Sequence, residues 1–270
     1  MNNLHKSKTS AKELNKQIEQ HLQELAQATD KARTSEEMLR YLDFCAKFHK
    51  YSAGNIWLIL LAKPDASYVA GFHKWKKLCR YVMRGETGIP ILAPHYWKEE
   101  DSEGNEIERI GFHVAHVFDV SQTDGEPLPE QPNWKSPEKN LELQKKLIDF
   151  AEINGIKVTI EPIAGDTQGV SMGGSIVLSP EAGTKTLIHE ISHEFLHQVE
   201  KNQLSRAEKE MEAESIAYIV ASYLGLRNLN CPNYIALHGG NNEKILTHFN
   251  RITTTARKII SAVALNYRCR

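Results

Sequence analysis

His189-Glu190-Ile191-Ser192-His193 is the stretch of this chain best suited to chemistry. On an α-helix, residues four apart lie one turn apart on one face, so His189 and His193 present two imidazoles to a single ion. Zinc–nitrogen bonds of about 2.0–2.1 Å suit that spacing. Glu190, next to the first histidine, projects beside the ion rather than at it. A general base for a metal-bound water belongs at that position. Two histidines leave the site incomplete, since it needs a third protein ligand and an open position for water.

The stretch "KEMEAESIAYIVASYLGL" supplies the candidates. Glu210, Ala213, Glu214, Ala217, Tyr218 and Ala221 share one side of a helix, and the alanines allow close packing against the histidine helix. Glu210 is the expected third ligand. Glu214, four residues on, either accepts a hydrogen bond from a ligand histidine's other nitrogen or ligates in Glu210's place. Glu212 falls outside that pairing and reads as a solvated helix residue. His197 continues the i+4 series, but a third helical turn lies too far along to share the ion, so it reads as a supporting or surface residue. Tyr218 reads as buried packing or as an oxyanion donor. The donor set suits zinc, and manganese or cobalt are compatible with it. The run "GGSIVLS" (173–179) reads as a strand, where Gly173 and Gly174 would let an extended substrate approach and pair.

A second kind of chemistry lies nearer the start. "HKWKKLCRYVMR" (73–84) sets Lys74, Lys76, Lys77, Arg80 and Arg84 among Trp75 and Tyr81. Positive charges track a phosphate backbone, and exposed aromatics stack on unpaired bases without reading a sequence. Phe72, Trp75, Tyr81, Tyr96 and Trp97 are candidates for stacking, although Phe72 and Trp75 fit the core of a small domain equally well. Charge follows the same division. Of 33 Lys+Arg and 34 Asp+Glu in the chain, residues 1–98 hold 16 and 9, which leaves the back half acidic. Two units with different partners are expected.

Those residues must be positioned by both helices and strands. Helical spacing covers residues 10–33, and a capping box at Thr34-Ser35-Glu36-Glu37 opens a second helix to about Lys50. A third runs from Ser52 to before Pro64. β-type runs follow over 80–97, then a hairpin turn and strand to about residue 120. "SQTDGEPLPEQPNW" (121–134) reads as a linker. Beyond it come a helix near 137–153, a strand at "KVTIEPI", the "GGSIVLS" strand, the histidine helix (183–199) and the acidic helix (205–224) with Gly225 as its C-cap. A last helix is expected over 242–265. The polar N-terminus lacks a secretory signal's apolar core, and "IWLILLA" (56–62) is too short to span a bilayer. The four cysteines are scattered without a CxxC pair, so a reducing, cytoplasmic setting and no membrane partner are expected.

"HEISHEFLH" followed by "EMEAESIAYIVASYLGL" resembles the ImmA/IrrE-type metallopeptidases of the Glu-zincin group, whose downstream glutamate matches Glu210. "YSAGNIWLIL" (51–60), "VAGFHKWKKLCRYVMRGETGIPILAP" (69–94) and "GFHVAHVFDVSQTDGEPLP" (111–129) resemble the N-terminal domain of ArdC-type antirestriction proteins, a single-stranded DNA-binding module in that family. The resemblance implies an α+β protein of two domains. Residues 1–128 would form an α+β single-stranded DNA-binding domain. Residues 129–270 would form a mainly helical, zincin-like metallopeptidase domain with a small β-sheet. It implies a zinc peptidase with Glu190 as base, acting on an unnamed protein substrate, in a factor that protects mobile-element DNA. The alternative is a non-proteolytic single-stranded DNA-binding factor whose metal is structural. Where the family carries an aromatic-rich stretch, this chain has Leu237-His238, and His238 reads as a loop residue.

Overall fold

The computed structural model describes residues 9–27, 31–100, 105–128, 139–197, 204–226, 229 and 242–265. It divides into two compact units, one of residues 1–22 with 54–129 and the other of 23–53 with 130–270. The expected division at residue 128 is sequential, whereas these units interleave. The helix of residues 31–47 packs on the acidic helix of residues 206–223.

The first unit draws on α1 (Ala11–Gln27), α3 (Ala53–Ala62), β1 (Val69–Gly71), α4 (Phe72–Lys77), β2 (Arg80–Val82), β3 (Ile89–Glu100), β4 (Glu106–Asp119) and β5 (Thr123–Gly125). The strands β3 and β4 form a long antiparallel hairpin, with β1 on the other side of β4, and β2 pairs with β5. Its core takes Leu14, Ile18 and Leu22 from α1, Ile56, Trp57 and Ile59 from α3, and Ile89, Ile91 and Val117 from the hairpin base. Alternation of buried and exposed positions ends partway along β3, and the distal half is exposed on both faces.

Asp119 and Gln122 knit this unit together. The Asp119 carboxylate accepts backbone N–H bonds from Ser67 (2.8 Å), Tyr68 (3.1 Å) and Ser121 (2.9 Å). Gln122 accepts from the Asp119 N–H (3.0 Å) and donates to Glu86 Oε2 (2.8 Å) and Thr87 O (2.9 Å). The segment expected to begin a linker is therefore structured through Gly125. A 3-10 turn spans Val120–Gln122, and Thr123–Gly125 pairs with β2. The rest of that expected linker, from residue 129, lies outside the described residues, as does His238.

The second unit holds α2 (Lys31–Lys47), α5 (Leu141–Ile153), β6 (Lys157–Ile160), β7 (Gly169–Ser171), β8 (Ser175–Leu178), α6 (Thr184–His197), α7 (Arg206–Tyr223) and α8 (Asn242–Leu265). Thr34–Glu37 lies inside α2 rather than at its start. At α7 a capping box does form, where Ser205 and Glu208 satisfy each other's backbone N–H. The helix ends where Gly225 takes φ +71° and the Leu226 N–H reaches back to Ala221 O at 2.9 Å. The sheet order is β6-β8-β7, with β6 parallel and β7 antiparallel to β8. Residues 175–178 are thus a central strand, already paired on both edges, and cannot add an extended substrate. Gly173 and Gly174 sit in the β7–β8 turn at φ +78° and +99° instead.

Candidate metal centre

Helix α6 buries Leu187, Ile188 and Ile191 and turns His189 and His193 to its other side. Their Nε2 atoms lie 3.0 Å apart. Glu210 Oε2, reaching over from α7, is 3.4 Å from His189 Nε2 and 3.6 Å from His193 Nε2. Among the described residues, these three form the one such group with ligand atoms close enough to hold a metal ion. Two donors each about 2.0–2.1 Å from a tetrahedral ion stand roughly 3.3 Å apart, so the triangle fits a divalent metal of zinc's size. Two neutral imidazoles and one carboxylate leave a fourth position free for water, and the Glu210 side chain is 47% exposed.

The electrostatics suit the same use. Burial pulls the His193 imidazole down to about 4, assisted by the neighbouring His189 and His197 and opposed by Glu210. His189 is lowered as well, by burial against the pull of Glu214 and Glu210. Both rings are therefore neutral near pH 7, the form in which imidazole ligates. Glu190 is pushed up to about 7, chiefly by burial. The Ser171 backbone N–H opposes that shift, and the Glu210 and Glu194 carboxylates add to it. A carboxyl poised there is well matched to take and return a proton at neutral pH.

Behind these groups stand residues with distinct supports. His189 Nδ1 lies 3.4 Å from Glu214 Oε1, an ion-pair separation without hydrogen-bond geometry, and Lys185 Nζ holds the other Glu214 oxygen at 2.8 Å. Glu212, expected in solvent, is instead fully buried. It accepts from His197 Nε2 (3.0 Å), His248 Nδ1 (2.6 Å) and Arg251 Nε (3.0 Å). Burial alone would raise its carboxyl, but these donors bring it down to about 2. His197 is nearly buried between Glu212 and His193, its Nδ1 2.9 Å from His193 Nδ1. The sequence hint for this was the His193–His197 spacing, but the Glu212 partner depended on α8, whose spacing to α7 no motif encodes. Tyr218 is not an oxyanion donor, because its hydroxyl is 3.0 Å from Asp43 Oδ1 on α2.

The strand β7 was not expected, since three residues carry no periodicity. It forms because Glu194, one turn along α6 from Glu190, accepts from Ser171 Oγ (2.6 Å), Gly173 N (2.9 Å) and Gly174 N (2.7 Å). Met172 and Gln168 make the inward bonds to β8, so the alternate residues Gly169 and Ser171 turn their backbone groups to the outer edge. That edge borders Glu190.

In the first unit, the basic stretch divides. Lys74, Lys76, Lys77 and Arg84 are exposed, with Lys74 Nζ 5.9 Å from the Tyr68 ring centre. Arg80 is committed internally, donating to Thr123 Oγ1 and O (both 2.8 Å), Gly125 O (3.2 Å) and Glu126 O (2.6 Å). Trp75 is fully buried and donates to Phe118 O at 2.9 Å, so it is a core residue and not a stacking platform. The exposed aromatics are Phe72, Tyr81, Tyr96, Trp97 and Phe112. Trp97 stacks on His95 at 5.0 Å over Gly111, where a Cβ would come 2.7 Å from His95. His95 and Phe112 carried no spacing signal in the sequence. No helix among the described residues is long and apolar enough to cross a membrane.

A two-unit α+β protein with a two-histidine, one-carboxylate cluster beside a buried glutamate is the class that this fold and site define. Residues 8–125 match the family of N-terminal domains of the anti-restriction factor ArdC, and that part of the chain belongs to it. It is 27% identical over 271 residues to an uncharacterized protein, pXO2-81, of Bacillus anthracis. That match covers 82% of this chain but 46% of the relative, so the chain spans about half the relative's length. Two crystal structures of the antirestriction ArdC protein from the R388 plasmid, metal-free and Mn(II)-bound, are also similar, each at 20% identity. They give TM-scores of 0.47 and 0.44, over 80% of this chain and 84% and 83% of theirs.

Proposed function

We propose that this chain is a DNA-binding antirestriction factor whose second unit is a zinc-dependent peptidase. The observation carrying the peptidase reading is the donor triangle of His189, His193 and Glu210, with Glu210 half-exposed and Glu190 adjoining it. A structural zinc site is closed by four protein ligands, whereas a catalytic one leaves a position free. When bound there, the metal supplies a Lewis acid that lowers the pKa of water and polarises a carbonyl. An extended peptide lies along the open edge of β7, pairing with the backbone of Gly169 and the carbonyl of Ser171. Glu190 takes the attacking water's proton and hands it to the leaving amine.

In the first unit, single-stranded DNA is the partner that the exposed groups fit best. Lys74, Lys76, Lys77 and Arg84 meet phosphates. Phe72, Tyr81, Tyr96 and Trp97 offer ring faces to unpaired bases. The antirestriction family itself implies contact with DNA.

Glu190→Gln tests the reading. The variant should bind one equivalent of zinc as the parent does, lose cleavage of a peptide library by about 100-fold or more, and lose protection of transferred DNA. Unchanged cleavage refutes the base assignment. Protection that survives without cleavage leaves the DNA-binding factor with a structural metal as the better account.

A further inference from the structure

His197 and Glu212 lie outside the donor triangle, yet their hydrogen bonds constrain what His193 can be. Glu212 is buried and meets a guanidinium, so it is a carboxylate and only accepts. Its Oε1 takes the Arg251 Nε–H (3.0 Å) and His248 Nδ1–H (2.6 Å), which leaves Oε2 for His197 Nε2 at 3.0 Å. His197 Nε2 must therefore carry the proton. The Arg251 guanidinium already balances the Glu212 charge, so no second cation is called for; a neutral His197 with Nε2–H then has a bare Nδ1, and that atom stands 2.9 Å from His193 Nδ1. Two bare nitrogens at that distance would repel, so His193 Nδ1 is the donor. Its Nε2 is then unprotonated, and Nε2 is the atom that faces His189 and Glu210.

We propose that His197 and Glu212 are positioning residues that fix His193 in its Nδ1–H tautomer and hold its Nε2 lone pair toward the donor triangle. The relay is His193 Nδ1–H to His197 Nδ1, then His197 Nε2–H to Glu212. Arg251 braces its far end and also donates to Leu196 O at 3.2 Å, tying α8 to the last turn of α6. A ligand histidine commonly donates its second nitrogen to a carboxylate directly. Here an interposed histidine does so, because Glu210 and Glu212, two residues apart, lie on different sides of α7, Glu210 at the triangle and Glu212 buried. The two ligand histidines are thus held unequally, since His189 Nδ1 has only the 3.4 Å approach of Glu214.

This inference rests on the reading of His189, His193 and Glu210 as ligands, and the experiment separates the two. Zn2+ alone is titrated into the full metal-free chain against a fluorescent chelator. In parallel, long-range 1H–15N spectra of the imidazoles report each tautomer. The parent should show His193 as Nδ1–H before metal is added. His193 seen there as Nε2–H overturns the proposal without any variant. His197→Phe keeps a ring but removes the acceptor and donor. It should weaken Zn2+ binding by about 10–100-fold and leave His193 a mixture of tautomers. His197→Asn, which can restore an acceptor near Nδ1, should recover part of both signals. Glu212→Gln, milder for the fold, should shift the His193 tautomer in the same direction as His197→Phe. Zn2+ affinity within twofold of the parent, with His193 still Nδ1–H in His197→Phe and Glu212→Gln, overturns the relay. His193→Ala and Glu210→Ala are the controls. If they bind Zn2+ like the parent, the ligand set itself is wrong and the relay falls with it.

Discussion

Gly169 lies against Glu190, so closely that a Cβ on Gly169 would stand 2.8 Å from Glu190 Cγ and 3.1 Å from its Oε1. The edge strand and the candidate base therefore share one contact. A side chain at 169 must push the carboxyl aside, and it also meets Thr186 Cγ2 at 3.1 Å. Gly169→Ala should keep zinc affinity within about twofold and lower kcat/KM on a cleaved peptide by roughly 10–100-fold, the scale of a misplaced reacting group. Paired zinc titration and peptide kinetics check this, and parallel losses in both would contradict it.

Glu194 is 2% exposed and is the acceptor for Ser171 and for both glycine N–H groups of the β7–β8 turn. Glu194→Ala strips three part-buried hydrogen bonds of their acceptor at once. It should cost about 2–4 kcal/mol in urea unfolding. Amide exchange should rise first at Ser171, Gly173 and Gly174, since β7 has only β8 beside it among the described residues.

Arg80 and its lysine neighbours should respond in opposite ways. Arg80→Ala removes four bonds to residues 123–126 and should lower stability by about 2–3 kcal/mol. Lys76→Ala with Lys77→Ala should leave the melting temperature unchanged. Their effect should appear in single-stranded DNA binding, as a shallower slope of log Kd against log salt, by nearly one for each phosphate that no longer meets a lysine. Equal salt slopes in the parent and the double variant would remove these lysines from the interface.

Asp119 predicts an acid limb in the stability of the first unit. Burial pushes its carboxyl up, but N–H bonds from Ser121, Ser67 and Tyr68 outweigh that and hold it below the ordinary aspartate value. A carboxyl lowered in the folded state contributes stability that is fully present above the unfolded pKa of about 3.9. That contribution is lost as pH falls through the folded value. Unfolding free energy should therefore drop below about pH 4. Asp119→Asn should be less stable at pH 7 by about 1–3 kcal/mol and show a flatter profile in that acid window. Denaturant titrations at several pH values supply the comparison.

Much of the site was legible because helical spacing is local. His189, Glu190 and His193 need only one turn of α6 to be neighbours, and Glu210 needs only that the next helix pack on it. Trp75, Arg80 and Glu212 were not legible for a common reason. Each is a polar or amphipathic side chain whose role depends on what faces it: Phe118 O, the β5 backbone, and α8. Without those partners, Arg80 and Glu212 belong in solvent and Trp75 fits surface and core equally. Strand β7 was invisible too, because three residues cannot show a period and its turn is held by a side chain from a helix.

The sequence by itself determined the chemistry on offer: the histidine pair with its adjacent glutamate, the acidic helix that follows, the basic stretch and the family of residues 8–125. Residue type and short-range spacing carry those facts, and folding does not alter them. Tertiary structure decided which of the charged groups are spent on holding the molecule together. It buried Glu212 under His197, His248 and Arg251, took Arg80 for β5, sent Trp75 to the core and set Gly169 against Glu190. A charge left in water and a charge buried among donors are the same letter in the chain. Only the arrival of distant segments tells them apart, because the desolvation of an ion must be offset by partners that the local sequence does not contain.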